Sequence, residues 1–258
     1  MNVHPTAIIH PHAQVSSSVT VGPYSLIGEN VELGAGTEVM SHVIIDGHTR
    51  IGKNNRIFPF ASIGLAPQDL KYGGEPTAVE IGDGNSIREF VTIHRGTVEG
   101  DGITRIGSHN LLMAYVHIAH DCKLGSHIIM ANGASLAGHI EIQDHAIVGP
   151  FCGIHQFSRI GAYSFLGAFS VVNLDILPYS KTTAPRPLGV YGANKLGLDR
   201  RGLSVDDVKD LEAAFRLLTR SKLNTSQALE AIEAKGFQSV HVKALVEFIK
   251  SSKRGVAK

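Results

Sequence analysis

The chain has 258 residues, with 24 Lys and Arg against 23 Asp and Glu, 28 glycines, two cysteines and no tryptophan. A net charge of +1 leaves no broad nucleic-acid footprint, and Cys122 and Cys152, with no CxxC pair, argue against a disulfide framework or zinc ribbon. No apolar run approaches the ~18 residues of a membrane span, and the opening stretch MNVHPTAIIHPHAQ lacks the basic and apolar regions of a signal peptide, so a cytoplasmic protein is expected.

The first element of the chain is a repeat. From Val3, every sixth residue is a branched aliphatic: Val3, Ile9, Val15, Val21 and so on to Ile63. The phase resumes at Ile81, Ile87 and Ile93. It then resumes shifted by one from Ile106 through Leu112 and Ile118 to Val172, with Met130 as the one exception to Ile, Leu or Val. A glycine often follows the aliphatic, as at Gly22, Gly28 and Gly149, and a small residue often precedes it by two, as at Ala7, Ser25 and Ala134. A period of six is a multiple of two and not of 3.6, so the units are short strands joined by turns. A single unit cannot bury its aliphatic, whereas stacked coils make a continuous core. The pattern predicts a parallel β-helix. It resembles the hexapeptide acyltransferases over residues 3–177. That resemblance implies a left-handed coil of three hexapeptides, so that each residue stacks on the one three hexapeptides further on. Both cysteines fall on the small inward position and read as buried small side chains.

Two interruptions follow. Residues 64–80, GLAPQDLKYGGEPTAVE, and residues 94–105, HRGTVEGDGITR, are expected to be inserted loops. A solenoid tolerates insertions as loops, and these often line a binding face. The first carries a compact polar set in Gln68, Asp69, Lys71 and Tyr72. After Val172 the period stops, and LPYSKTTAPRPLG reads as a Pro-rich connector. Three helical patterns come next. Ser204 and Asp207 suggest a capping box before Val208, Leu211, Phe215 and Leu218. Thr225 suggests the start of a second helix ending at Gly236. Val240, Leu245, Phe248 and Ile249 mark a third. The expected division is a β-helix domain of residues 1–187 and a small C-terminal α-helical domain of residues 188–258.

Stacking three hexapeptides to the coil gathers polar groups at one edge of consecutive coils. His120 falls beside Gly138 and Gln156, Asp121 beside His139, and His155 beside Ala137, with His117 close by. A histidine is suited to take a proton near neutral pH. An adjacent carboxylate can orient it, and a glycine N–H can stabilise an oxyanion. No Ser or Cys is spaced to act as nucleophile, which suggests direct attack by the acceptor's own hydroxyl. A zinc site drawn from His117, His120 and His139, as in hexapeptide carbonic anhydrases, is the competing reading. A non-catalytic scaffold has no need of such a convergence.

The motifs HIAHDC, LAGH (136–139), HQF (155–157), QDLKY (68–72), TIHRGT (92–97) and GANKLGLDRRG (192–202) together resemble the UDP-N-acetylglucosamine 3-O-acyltransferases over essentially the whole chain. This family opens lipid A synthesis. The resemblance implies transfer of an (R)-3-hydroxyacyl chain from acyl carrier protein to the sugar 3-hydroxyl by a homotrimer, with no cofactor. N-acylation of a 3-amino analogue is the near variant. His120 would be the general base, Asp121 its orienting acid and Gly138 the oxyanion donor. Gln68 would be a substrate contact, Asp69 and Lys71 would bind the sugar and its neighbourhood, and His117, His139, His155 and Gln156 would surround the sugar and diphosphate. Asn194 and Arg200 would meet nucleotide or phosphate. Ala168 aligns with the family's acyl-chain-length determinant, and its small side chain favours a longer chain. Arg200, Arg201, Arg216, Arg220 and Lys222 would be candidates for docking the acidic carrier protein.

Overall fold

The computed structural model describes residues 2–183 and 188–258. The hexapeptides form a left-handed parallel β-helix, a three-sided prism whose faces are sheets of 11, 9 and 8 strands. Most strands are two residues long. Each pairs in parallel with the strand one coil on, as Val3 with Val21, His117 with Ser135, and Ile118 with Leu136, so three hexapeptides make one coil. The face carrying Val3, Val21 and Leu112 will be called the first, that carrying Ile27 and Ile118 the second, and that carrying Leu33 and Leu124 the third.

The sixth-position aliphatics fill the prism, and from Val21 through Val172 every one of them is at most 4% exposed. The small position two residues earlier also points inward. Its ladder of buried asparagines does more than fill space. Asn55 Oδ1 accepts from the Asn85 backbone N–H at 2.8 Å, Asn85 Oδ1 from the Asn110 N–H at 2.9 Å, and Asn110 Oδ1 from the Ile128 N–H at 2.7 Å. Asn85 Nδ2 also donates to the carbonyls of Gly82 and Gly107. These amides pair turn groups that would otherwise lie unsatisfied in a dry interior. Cys122 and Cys152 are free and buried on the same position, and burial pushes the Cys122 thiol up to about 12.

The corners need left-handed backbone, and many of them use aromatic residues rather than glycine. Tyr24, His42, Phe60, Phe90 and Tyr115 all have φ near +60°. That conformation is costly for bulky side chains. Their rings stack in sequence at centroid separations of 5.1, 5.1, 5.0 and 4.9 Å, which offsets part of that cost. This column climbs the corner between the first and second faces and stays exposed. A second column, His109, His127, His145, Tyr163 and Tyr179, climbs the corner between the third and first faces and ends edge-on against His241.

The inserted segments are shorter than the loops expected from sequence. Ile57 pairs with Ile87, and Ile87 with Leu112, so each of these two coils is longer than three hexapeptides. Part of each expected loop nevertheless stays in the prism. Gly64 and Leu65 extend the strand Ser62–Leu65, and residues 78–80 and 103–105 belong to four-residue strands of the third face. The third-face residues pair with one another and with His48–Ile51, and that pairing holds them in the sheet.

Beyond Val172 the strands Ser180–Thr183 and Gly189–Ala193 form an antiparallel hairpin at the end of the first face, where a connector was expected. The expected domain boundary after residue 187 lies outside the described residues. Four helices follow: α1 (Lys195–Arg200), α2 (Val205–Thr219), α3 (Thr225–Ala234) and α4 (Val240–Lys250). The short α1 has no counterpart among the three helical patterns. Ser204 caps α2 by accepting from the Asp207 N–H, but Asp207 returns its carboxylate to the Ser204 hydroxyl rather than to the Ser204 backbone. The true capping box is one residue before Thr225: Asn224 and Gln227 bond reciprocally at the start of α3. His241 of α4 reaches the Tyr179 hydroxyl at 3.2 Å, and Ser252 Oγ donates to buried Asp175 at 2.8 Å, which ties the helices and tail to the last coil.

Replacing Asn85 by Ala removes the partners of several buried groups. The expected result is a stability loss of roughly 2–4 kcal/mol, read as a lower urea midpoint at unchanged slope.

Candidate active site

An open cleft of about 620 Å³ lies on the second face, lined by Gln68, His117, Ala119, His120, Ser135, Ala137, Gly138, Gly153, His155, Gln156, Val171 and Asn173, among others. The parallel register builds it. His117 sits over Ser135 and Ser135 over Gly153, which leaves a floor of small side chains between the histidines. His120 stands at the corner between the second and third faces.

The His120 ring lies directly against Gly138. A Cβ on Gly138 would meet His120 Cε1 at 2.5 Å and Nε2 at 2.7 Å, so only glycine admits the imidazole there. Among the described residues the Gly138 N–H has no acceptor. On the other side, His120 Nδ1 is 2.9 Å from Asp121 Oδ2. The Asp121 side chain is only 2% exposed and has φ of 59°, a backbone that aspartate tolerates. The carboxylate also accepts from Thr97 N at 3.0 and 3.1 Å and from Thr97 Oγ1 at 2.7 Å. The Asp121 N–H donates to Thr104 Oγ1 at 2.9 Å. The carboxylate can only accept, so Nδ1 of His120 is the donor and its Nε2 is left with the lone pair.

The other expected residues divide into groups. His117 lines the cleft with Nδ1 at 2.7 Å from Thr92 Oγ1, and burial first, then His120, lowers its pKa. His155 and Gln156 line it at the exposed end, where Arg254 of the C-terminal tail lies 3.3 Å from His155 Nδ1. Gln68 reaches it from the first insertion. Asp69 and Lys71 do not line it: the Asp69 carboxylate accepts the Lys71 backbone N–H, and Lys71 Nζ pairs with Glu99 at 3.0 Å. That pair joins the two insertions, as does Arg95 Nε to Tyr72 Oη at 2.8 Å. His139 turns around the corner, edge-on to His120 and stacked on Phe157, into a separate hollow shared with Lys123, Arg159, Lys253 and Arg254. Ala168 stands at the far edge of the second face, outside the cleft lining, with its N close to Gly149. Asn194 is buried, and its amide donates to the Tyr163 carbonyl at 3.1 Å. Arg200 is exposed at the end of α1. Asn194 thus packs at the corner between the third and first faces, away from His120.

The zinc trio His117, His120 and His139 does not converge. The atoms within 4.8 Å of one another belong to His120, Asp121 and His139, and Asp121 Oδ2 there already serves the Thr97 and His120 donors.

Two residues that shape the site carry no signal in the repeat, Thr97 and His94. His94 is 6% exposed, packs edge-on to His117 at 5.1 Å and has an unpartnered Nδ1. Burial, then the neighbouring His117, His120 and Arg95, lower its pKa to about 4. An unfolded histidine takes a proton near pH 6.5 that folded His94 refuses. His94 therefore contributes stability above pH 6.5 that is lost as pH falls toward about 4. In urea titrations His94→Gln should reduce the acid-side loss relative to wild type, by on the order of 3 kcal/mol at most.

The chain is similar to known proteins along essentially its whole length. The family model described as UDP N-acetylglucosamine O-acyltransferase, domain 2, matches residues 175–257. The acyl-[acyl-carrier-protein]–UDP-N-acetylglucosamine O-acyltransferase of Thermodesulfovibrio yellowstonii is 49% identical over 99% of both chains. That of Halorhodospira halophila is 48% identical over 98% of both. The solved UDP-N-acetylglucosamine O-acyltransferase of Moraxella catarrhalis superposes with a TM-score of 0.95 at 46% identity over 100% of both chains. The UDP-N-acetylglucosamine acyltransferase of Bacteroides fragilis gives 0.96 at 41% over 99% of both. The chain belongs to the UDP-N-acetylglucosamine O-acyltransferase family.

Proposed function

We propose that this chain transfers an (R)-3-hydroxyacyl group from acyl carrier protein to the 3-hydroxyl of UDP-N-acetylglucosamine, the opening reaction of lipid A synthesis. The donor, acceptor and reaction class are supported by relatives of 45–49% identity that carry that activity in their names. The observation that carries the mechanism is the His120 ring held between the Asp121 carboxylate and Gly138.

In this reading His120 Nε2 takes the proton of the sugar hydroxyl as its oxygen attacks the thioester carbonyl. Asp121 holds the ring through Nδ1 and favours the imidazolium as it forms. The Gly138 N–H donates to the oxyanion of the tetrahedral intermediate. Collapse breaks the carbon–sulfur bond, and the leaving thiolate takes the proton from His120. The cleft residues Gln68, His117, His155 and Gln156 hold the nucleotide sugar. Asp69 and Lys71, on the loop that carries Gln68, and His139, around the corner, would be further contacts from outside the cleft lining, and Ala168 would bound the acyl chain at the far edge of the second face. His120→Ala should lower the turnover rate by about 10²–10⁴-fold at unchanged fold and oligomeric mass. Turnover near the wild-type rate would remove His120 from the role of base.

The same reading makes the active molecule a homotrimer with sites between chains. Asn194 packs at a different corner from His120, with Arg200 following it on α1, so one site can use both sets only if two chains meet. The exposed aromatic column offers a surface for that meeting, with Tyr24 63%, Phe60 50% and Tyr115 62% exposed. We divide the chain after residue 187 into the prism and a C-terminal unit, residues 188–258, whose strand Gly189–Ala193 returns to the first face before its four helices. Exposed Arg200, Arg201 and Arg220, with Arg216 and Lys222 nearby, suit an acidic carrier protein. Phe60→Glu combined with Phe90→Glu should lower the mass measured by light scattering below that of a trimer, and activity should fall with it. An unchanged trimer mass would clear this column of the role.

A further inference from the structure

We propose that the second insertion is a clasp for the orienting acid and that Thr97 is the positioning residue through which it acts; this rests on reading His120 as the base. Asp121 lies in a left-handed turn, where nothing in the hexapeptide pattern fixes the rotation of its carboxylate. The insertion holds Asp121 from both ends, the carboxylate from one and the backbone from the other. Thr97 precedes the excursion and gives the carboxylate its backbone N–H and its hydroxyl, the latter at 2.7 Å from the same Oδ2 that receives His120 Nδ1 at 2.9 Å. Thr104 follows the excursion and takes the Asp121 N–H. Thr97 and Thr104 are 4% and 0% exposed, so water does not compete for these bonds.

The glycines of the loop have the same purpose. A Cβ on Gly96 would meet the Gly102 carbonyl carbon and Ile103 N at 2.3 Å. A Cβ on Gly100 would meet Asp121 Cγ and Oδ1 at 2.4 Å. The loop therefore closes onto itself and onto the carboxylate only with glycine at both positions. Lys71–Glu99 and Arg95–Tyr72 brace it from the first insertion. A coil of ordinary length has no residues to spare for such a cover.

The test compares Thr97→Val, which keeps shape and removes the hydroxyl, with Thr97→Ser, which keeps the hydroxyl. Thr97→Val should lower kcat by about tenfold with KM for UDP-N-acetylglucosamine within about twofold, and Thr97→Ser should restore kcat to within about threefold of wild type. In an Asp121→Ala background Thr97→Val should cost nothing further, since the group it positions is gone. Gly100→Ala, which keeps Thr97 and presses on the carboxylate, is the second variant and should show the same kcat-selective loss. Wild-type kcat in Thr97→Val, or an undiminished loss in the Asp121→Ala background, overturns the clasp. If His120→Ala is inactive while Thr97→Val is fully active, the clasp alone fails. If His120→Ala is active, both readings fail.

Discussion

Parallel stacking at a fixed offset of three hexapeptides is the constraint on which the rest of the molecule depends. It sets Ile118 on Leu136 and Leu136 on Ile154, and so joins one aliphatic per hexapeptide into a core that no single coil could bury. The same offset puts corner on corner. At one corner it stacks aromatic rings, at another it carries a ring column up to α4, and at the third it lays the His120 imidazole on the Gly138 backbone. The proposed catalytic geometry is thus a by-product of strand register. Residues far apart in sequence are held a strand spacing apart, on a scaffold that cannot slip without exposing every aliphatic.

Register alone does not make an active corner, since the prism has three corners and many coils. What distinguishes His120 is that the coil before it is interrupted. The loop of the second insertion covers Asp121, and the first insertion covers that loop and sends Gln68 into the cleft. The insertions thus bury a carboxylate that the hexapeptide pattern would leave at an open corner. A buried carboxylate with three protein donors keeps its orientation and, through Nδ1, fixes which nitrogen of His120 is free.

Much of this was legible in the sequence because it is periodic. The aliphatics from Val21 to Val172, the inward cysteines and the pairing of His120 with Gly138 all follow from counting hexapeptides and then coils. The rest was not periodic. Counting places Ile81 in phase, but 64–80 and 94–105 read as unbroken loops, because the pairing of residues 78–80 with His48–Ile51 and of 103–105 with 78–80 leaves no mark in their composition. The QDLKY motif sets Asp69 and Lys71 beside Gln68 but does not fix the path of their loop, which its own contacts set, here Lys71 with Glu99. The hairpin of Ser180–Thr183 with Gly189–Ala193 was obscured by prolines between the strands. The aromatic columns were visible in principle, three residues after Val21, Val39, Ile57 and Ile87. Their meaning needed the left-handed φ at each corner. Thr97 lies inside the TIHRGT motif, but only the closed loop shows that it faces Asp121.

The mechanism stands or falls on whether the His120 imidazole and the Gly138 amide face one reacting carbonyl. The most direct measurement is a structure of the protein bound to its 3-O-acylated nucleotide sugar. The ester's bridging oxygen should lie within hydrogen-bond reach of His120 Nε2, with its carbonyl oxygen directed at the Gly138 N–H. An ester bound elsewhere on the prism, or one that meets only one of these two groups, would contradict it.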